Sequence, residues 1–264
     1  MKLHLLGTGN GGALKCYNTC FCIENDGGYL LVDGGGGNQI LSQLKKADIE
    51  LAKIHNIFVS HNHIDHILGV LWVIRQTYIN ISDGKYIGNC NIYASTDTIS
   101  AIKQLREVVF GKVDYDVSEG INFITVSDGE HAEICGMQIT FFNTFAAKDT
   151  QFGFSISHKS NDNFLVFSGD EPLVTKLFSK FKDCHWLLHE AFCLDSQKQL
   201  YDPYTKGHCT VRDAAITAKS IGAEKLVILH SKDNKVPSEY VAEANKTFSG
   251  KVFAPADLDV INLD

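Results

Sequence analysis

The sequence predicts an α/β protein in which helices pack on two mixed β-sheets, and three observations carry that reading. Short apolar runs of strand character alternate with segments of helical periodicity in both halves of the chain. No low-complexity linker divides the 264 residues, so a single domain spanning 1–264 is expected. Polar residues recur where apolar strands end, at Asp33, His61–His66, Asp170, His189-Glu190 and His230. Active sites are commonly built in this way, from loops along one rim of a rigid scaffold.

Residues 2–6, 19–24 and 28–33 read as strands, and Asp26-Gly27-Gly28 is a hairpin signal. Gly7 to Gly12 form a glycine-rich loop, but the spacing does not complete GxGxxG and more strand follows, which argues against a nucleotide site. Asp33 ends the third strand, and Gly34 to Gly37 turn the chain into a helix at about 38–47. An acid at position 33 either orients a metal-binding histidine or caps the turn. A strand at 57–59, a helix to about Tyr78, a strand at about 90–94 and a helix at about 97–110 follow. The segment 111–120 is acidic and irregular. Strands are expected at 121–126, 137–143, 152–158 and 164–168, then a helix at about 173–181. A strand at 185–188, a helix at about 211–221, a strand at 225–229 and a final helix with short strands close the chain.

A hydrophobic content of 44% is sufficient for a core. No apolar run reaches membrane-spanning length, and MKLHLLGTGN lacks a signal peptide's apolar segment, so a soluble cytoplasmic protein without membrane contact is expected. Buried free thiols are the expected state of the eight cysteines, and the lack of any CxxC pair disfavours a four-cysteine zinc site. A net charge of −7 with arginine only at positions 75, 106 and 212 argues against a large nucleic-acid footprint.

The densest chemistry lies in Asn56–Gly69. His61 and His63 are two apart, so an extended backbone sends both imidazoles to one side. Asp65 and His66 fall near a helix N-terminus, where a carboxylate is favoured. Neutral imidazoles with a carboxylate form the ligand set of zinc, iron or manganese.

The run His61-x-His63-x-Asp65-His66, with Gly169-Asp170 and strand-terminal His230 after it, resembles the signature of the metallo-β-lactamase-fold superfamily. His189-Glu190-Ala191-Phe192 and Gly207-His208-Cys209-Thr210 resemble the paired loops of its ribonuclease Z-like members. The resemblance implies an αββα sandwich with the site at one edge between the sheets. It also implies two metal positions, one taking His61, His63 and a further histidine, the other taking Asp65, His66 and His230, with Asp170 bridging both. One or two zinc ions are implied, with manganese or iron as alternatives. Asp65 would both hold metal and orient the nucleophile. Glu190 would orient His208 near the leaving group and raise its pKa; the other reading of that pair is a structural hydrogen bond beneath the site.

Two departures bear on activity. No histidine occurs from Phe142 to Gly153, and the best register puts Phe145 at the missing ligand, which weakens the first metal position. Too few residues separate Phe145 from Asp170 for the tRNA-gripping insertion, so the expected partner is a small or short phosphodiester and not an extended tRNA. A homodimer is compatible with the sequence. The function expected is a metal-dependent hydrolase acting on a phosphodiester through a metal-activated water. Competing readings are an ester, lactone or thioester hydrolase, an iron-dependent redox protein, and a catalytically degenerate metal-binding module.

Overall fold

Strands buried on both faces explain the architecture, because such strands need a partner layer on each side. In the computed structural model, which describes residues 1–110, 120–158 and 161–264, the first half holds β1 (Lys2–Gly7), β2 (Cys20–Asn25), β3 (Gly28–Val32), α1 (Gln39–Lys46), β4 (Ile54–Phe58), α2 (Ile64–Ser82), β5 (Cys90–Ala94), α3 (Thr96–Phe110) and β6 (Ile121–Thr125). Next come β7 (His131–Ile134), β8 (Met137–Asn143), β9 (Phe152–His158), β10 (Asn161–Phe167), β11 (Trp186–Glu190) and a single turn, α4 (Lys198–Tyr201). The chain closes with α5 (Val211–Ser220), β12 (Lys225–Leu229), α6 (Pro237–Ala244), β13 (Lys251–Phe253) and β14 (Val260–Asn262). The two sheets run β14-β1-β2-β3-β4-β5-β6 and β13-β12-β11-β10-β9-β8-β7. Each is mixed: β1, β2 and β3 pair antiparallel while β3 to β6 pair parallel, and β7 to β10 are antiparallel while β10 to β13 are parallel.

Alternation within single strands assigns each side chain to a layer. Phe21 and Ile23 of β2 face the other sheet, with Phe58, Phe141, Phe154, Phe167 and Trp186. Cys20 and Cys22 face the opposite way, toward Ile40, Val70 and Ile102 of α1, α2 and α3. On the second sheet, Leu226 and Ile228 of β12 meet Ala214 and Tyr240 of α5 and α6. The result is helix, sheet, sheet, helix. All eight cysteines are free, and six of them are buried. No helix among the described residues is long and apolar enough to cross a membrane.

The expected hairpin forms at Asp26-Gly27, both with positive φ, between Asn25 and its partner Gly28. Two expectations change. The segment expected as a helix at 173–181 keeps helical spacing of its buried residues Leu173, Leu177 and Phe181, but its regular part is one 3-10 turn, Thr175–Leu177. Leu173 N–H is engaged by His189 Nε2 at 3.1 Å, so the start of the segment is tied to β11 instead of to a helical turn. The strand β7 was not expected, because only Ile134 in it is buried and its pattern is polar; the tight Cys135-Gly136 turn pairs it with β8. Of the acidic segment 111–120, all but Gly120 lies outside the described residues.

One backbone contact places the site. Gly34 N–H donates to His66 O at 2.9 Å, and Gly69 N–H donates to Gly35 O at 2.8 Å. A Cβ on Gly69 would collide with the Gly34 carbonyl. The first turns of α2 therefore rest directly on the loop after β3, main chain against main chain.

Candidate metal centre

Four strand ends and one helix start converge on a single rim. Asp33 follows β3, His61 follows β4, Asp65 and His66 open α2, Asp170 follows β10, and His230 follows β12. Asp33 and His230 both adopt left-handed backbone, with φ of 57° and 53°. Strained conformations of this kind persist where surrounding contacts fix them, often at functional sites. His230 N–H is anchored by Thr19 Oγ1 at 3.1 Å.

Asp33 resolves as an orienting group, not a cap. Its Oδ2 accepts from His66 Nδ1 at 2.8 Å and from Ser60 Oγ at 2.8 Å, and its Oδ1 accepts from Ser60 N at 2.8 Å. Since the Ser60 hydroxyl gives its hydrogen to Asp33, it must accept from His61 Nδ1, 2.9 Å away. Both imidazoles are thus fixed as Nδ1–H tautomers with Nε2 bare, the arrangement that second-shell partners impose on metal-binding histidines. His61 Nε2 and His66 Nε2 are buried without a hydrogen-bond partner.

Around them the donors approach one another, and only the long contact between His230 Nε2 and Asp65 Oδ2 has hydrogen-bond geometry. His66 Nε2 lies 3.5 Å from Asp65 Oδ2 and 3.6 Å from Asp170 Oδ2. His230 Nε2 lies 3.5 Å from Asp65 Oδ2 and 3.0 Å from Asp170 Oδ1, yet Asp170 Oδ1 has no partner in hydrogen-bond geometry. His61 Nε2 is 3.7 Å from Asp170 Oδ2. Ligands about 2.1 Å from a tetrahedral ion stand roughly 3.4 Å apart, so these separations fit a shared metal. The field fits as well. Burial opposes charge on Asp65 and Asp170, but the facing histidines hold both well below the usual carboxylate range. Burial likewise opposes charge on His66, yet Asp33, Asp170 and Asp65 raise it well above its ordinary value. His61 goes the other way, held well below its ordinary value by burial and by His66 beside it.

Among the described residues, three groups could hold an ion: His61, His66 and Asp170; Asp65, His66 and His230; and Asp170, His208 and His230. His63 is not in them. Its ring packs edge-on against His61 at 4.3 Å, but it sits at the rim, where Nε2 meets Asp149 at 2.8 Å. Phe145 does not occupy a ligand position either. Its half-exposed ring lies beneath the Lys176 ammonium, and the loop residues that line the cavity are Lys148 and Gln151.

Glu190 and His208 face each other as expected but at 3.8 Å, too long for a hydrogen bond. Glu190 Oε1 instead accepts from Cys209 N at 2.6 Å. His208 is not raised: burial, with His230 nearby, pushes it down to about 4. Burial pushes Glu190 up to about 8. The His208 ring is held from both sides, parallel to Phe192 at 5.0 Å and against His230 at 4.9 Å.

These groups open into a cavity of about 370 Å³, which Lys148, Lys206 and Lys232 also line. Asn10, Gly11 and Gly12 close one side. A Cβ on Gly11 would stand 2.8 Å from Asp65 Oδ2, so glycine allows that approach. The glycine-rich loop thus belongs to the site, though not as a nucleotide motif, and the run of glycines was its visible signal. Nothing local marked the lysines or Gln151, and Phe192 was visible only as the end of the His189–Phe192 motif.

Comparison with known proteins agrees with this geometry. The chain is 25% identical over 275 residues to ribonuclease Z of Bacillus subtilis (strain 168), covering 87% of this chain and 88% of that protein. The metallo-β-lactamase fold protein YhfI of Bacillus subtilis superposes with a TM-score of 0.82 at 21% identity, over 98% of each chain. A diphosphatase of the PhnP family gives a TM-score of 0.74 at 16% identity, over 98% of this chain and 96% of that one. The family model described as Anti-Pycsar protein Apyc1 matches residues 1–248. With this match, and with two mixed sheets flanked by helices and a donor cluster on one rim, the chain belongs to the Anti-Pycsar protein Apyc1 family and has the metallo-β-lactamase fold.

Proposed function

We propose that the protein is a metal-dependent hydrolase of small or short phosphodiesters, with residues 1–264 acting as one domain. The observation that carries the reading is the convergence of bare, buried donor atoms of His61, His66 and Asp170 with Asp65 and His230. Asp65, His66, Asp170 and His230 would hold one ion, and His61, His63 and Asp170 a second; zinc suits two imidazoles with carboxylates, and manganese or iron suits them next best. A bound ion supplies Lewis acidity toward a phosphoryl oxygen and acidifies a water. Asp65, tied to both His66 and His230, is placed to orient the attacking oxygen. Three lysines on the cavity wall favour a phosphate over an uncharged ester. His208 turns Nδ1 toward Glu190, so Nε2 is the nitrogen left for the departing oxygen.

The cavity's size and the similarity to the ribonuclease Z of Bacillus subtilis support a phosphodiester no longer than a short oligonucleotide. Free thiols suit a cytoplasmic location. Metal-stripped and metal-restored protein, assayed on a chromogenic diester and on ester, lactone and thioester panels, tests the reading. Diester hydrolysis should vanish on stripping and return with zinc or manganese. Faster turnover of an uncharged ester, or activity that survives stripping, would overturn it.

A further inference from the structure

Gln151 ends the loop on which the third histidine of the first metal position was expected. It is 1% exposed, yet neither Oε1 nor Nε2 has a hydrogen-bond partner. Buried amides are nearly always paired, and a bare one calls for a ligand. Its placement is fixed from two sides. Phe152 N–H donates to Ser60 O at 3.0 Å, which holds residue 151 beside the His61 loop. Oε1 stands 3.6 Å from where a Cβ on Gly169 would be, so it lies against the residue before Asp170. His61 Nε2 is bare and buried in the same region, 3.7 Å from Asp170 Oδ2, and Gln151 lines the cavity with His63 and Asp170.

We propose that Gln151 Oε1 replaces the third imidazole and completes the first metal position with His61, His63 and Asp170. The proposal rests on the metal-centre reading above. Asp149 engages Nε2 of His63 at the rim, so His63 joins this position only by turning Nδ1 toward His61 and Asp170. A neutral carbonyl oxygen in place of an imidazole makes the set harder, which narrows the advantage of zinc over manganese at this position.

Manganese binding to the metal-stripped full chain, followed by equilibrium dialysis and electron paramagnetic resonance, tests the proposal without any substrate. The wild type should bind two Mn2+ per chain and give a spin-coupled signal. Gln151→Ala should bind one and lose the coupling, while Gln151→Glu, which keeps an oxygen, should retain both. Gln151→His should keep two positions and let zinc displace manganese from the first at a concentration at least tenfold lower. Two coupled ions in Gln151→Ala would overturn the proposal. So would equal loss in Gln151→Glu and Gln151→Ala, which marks a packing role, and so would a wild type that binds fewer than two ions. Coupled ions in a wild type that cleaves no diester support Gln151 and overturn only the phosphodiesterase reading.

Discussion

The two sides of Asp170 are built differently. On one side, His66 and its orienting Asp33 are each 1% exposed, and His230 is 3% exposed. On the other side, His61 is buried, but His63 and its partner Asp149 are 39% and 41% exposed. Buried pairs hold their geometry because losing a partner leaves a bare polar group in a low dielectric. Exposed ion pairs contribute little and are screened by salt. The side with a complete set of expected ligands is therefore preformed by the fold, whereas the other depends on a rim residue and a loop.

Three substitutions rank that difference. Asp170→Ala removes the group shared by both sides, so diester hydrolysis should fall more than about 100-fold, beyond the range for second-shell losses, and metal analysis should find both positions emptied. A variant that keeps one ion at wild-type affinity would show that the two sides do not share Asp170. Asp33→Asn keeps the size and the left-handed backbone but weakens the grip on His66 and, through Ser60, on His61. Zinc affinity measured against a chromogenic chelator should fall about 10–100-fold; an unchanged affinity would show that packing alone aims these rings. Asp149→Asn changes a rim partner, so its effect on affinity should stay below about tenfold and shrink further in high salt. A loss as large as that of Asp33→Asn would abolish the contrast.

The sequence announced the preformed side and concealed the other. Asp65, His66, Asp170 and His230 stand at the ends of apolar runs, where strand and helix periodicity places them without knowledge of tertiary contacts. Asp33 was legible as a strand-end acid, but only folding decides between an orienting and a capping role. Spacing from the Gly153 strand points to Phe145 as the position of the missing ligand. The loop, however, gives Phe145 a left-handed backbone with φ of 59° and turns it outward, so a residue six positions later faces the site. The His208–Glu190 pair was visible as paired motifs, but its electrostatics was not. A carboxylate raises a histidine only while it is charged, and burial here favours neutral forms of both. The approximate places of most strands followed from their apolar runs, whereas strand order did not, and the polar edge strand β7 had no such signal.

The contact between Gly34 and Gly69 has a consequence for engineering. Since the start of α2 is located by main chain touching main chain, the aim of Asp65 and His66 is less sensitive to which aliphatic side chains fill the layer beneath the rest of the helix. That layer is therefore the place to redesign for heat tolerance, with the geometry of Asp65 and His66 as the check. One methyl group at either glycine should have the opposite outcome, because it would collide with the facing main chain and shift the start of the helix together with Asp65 and His66.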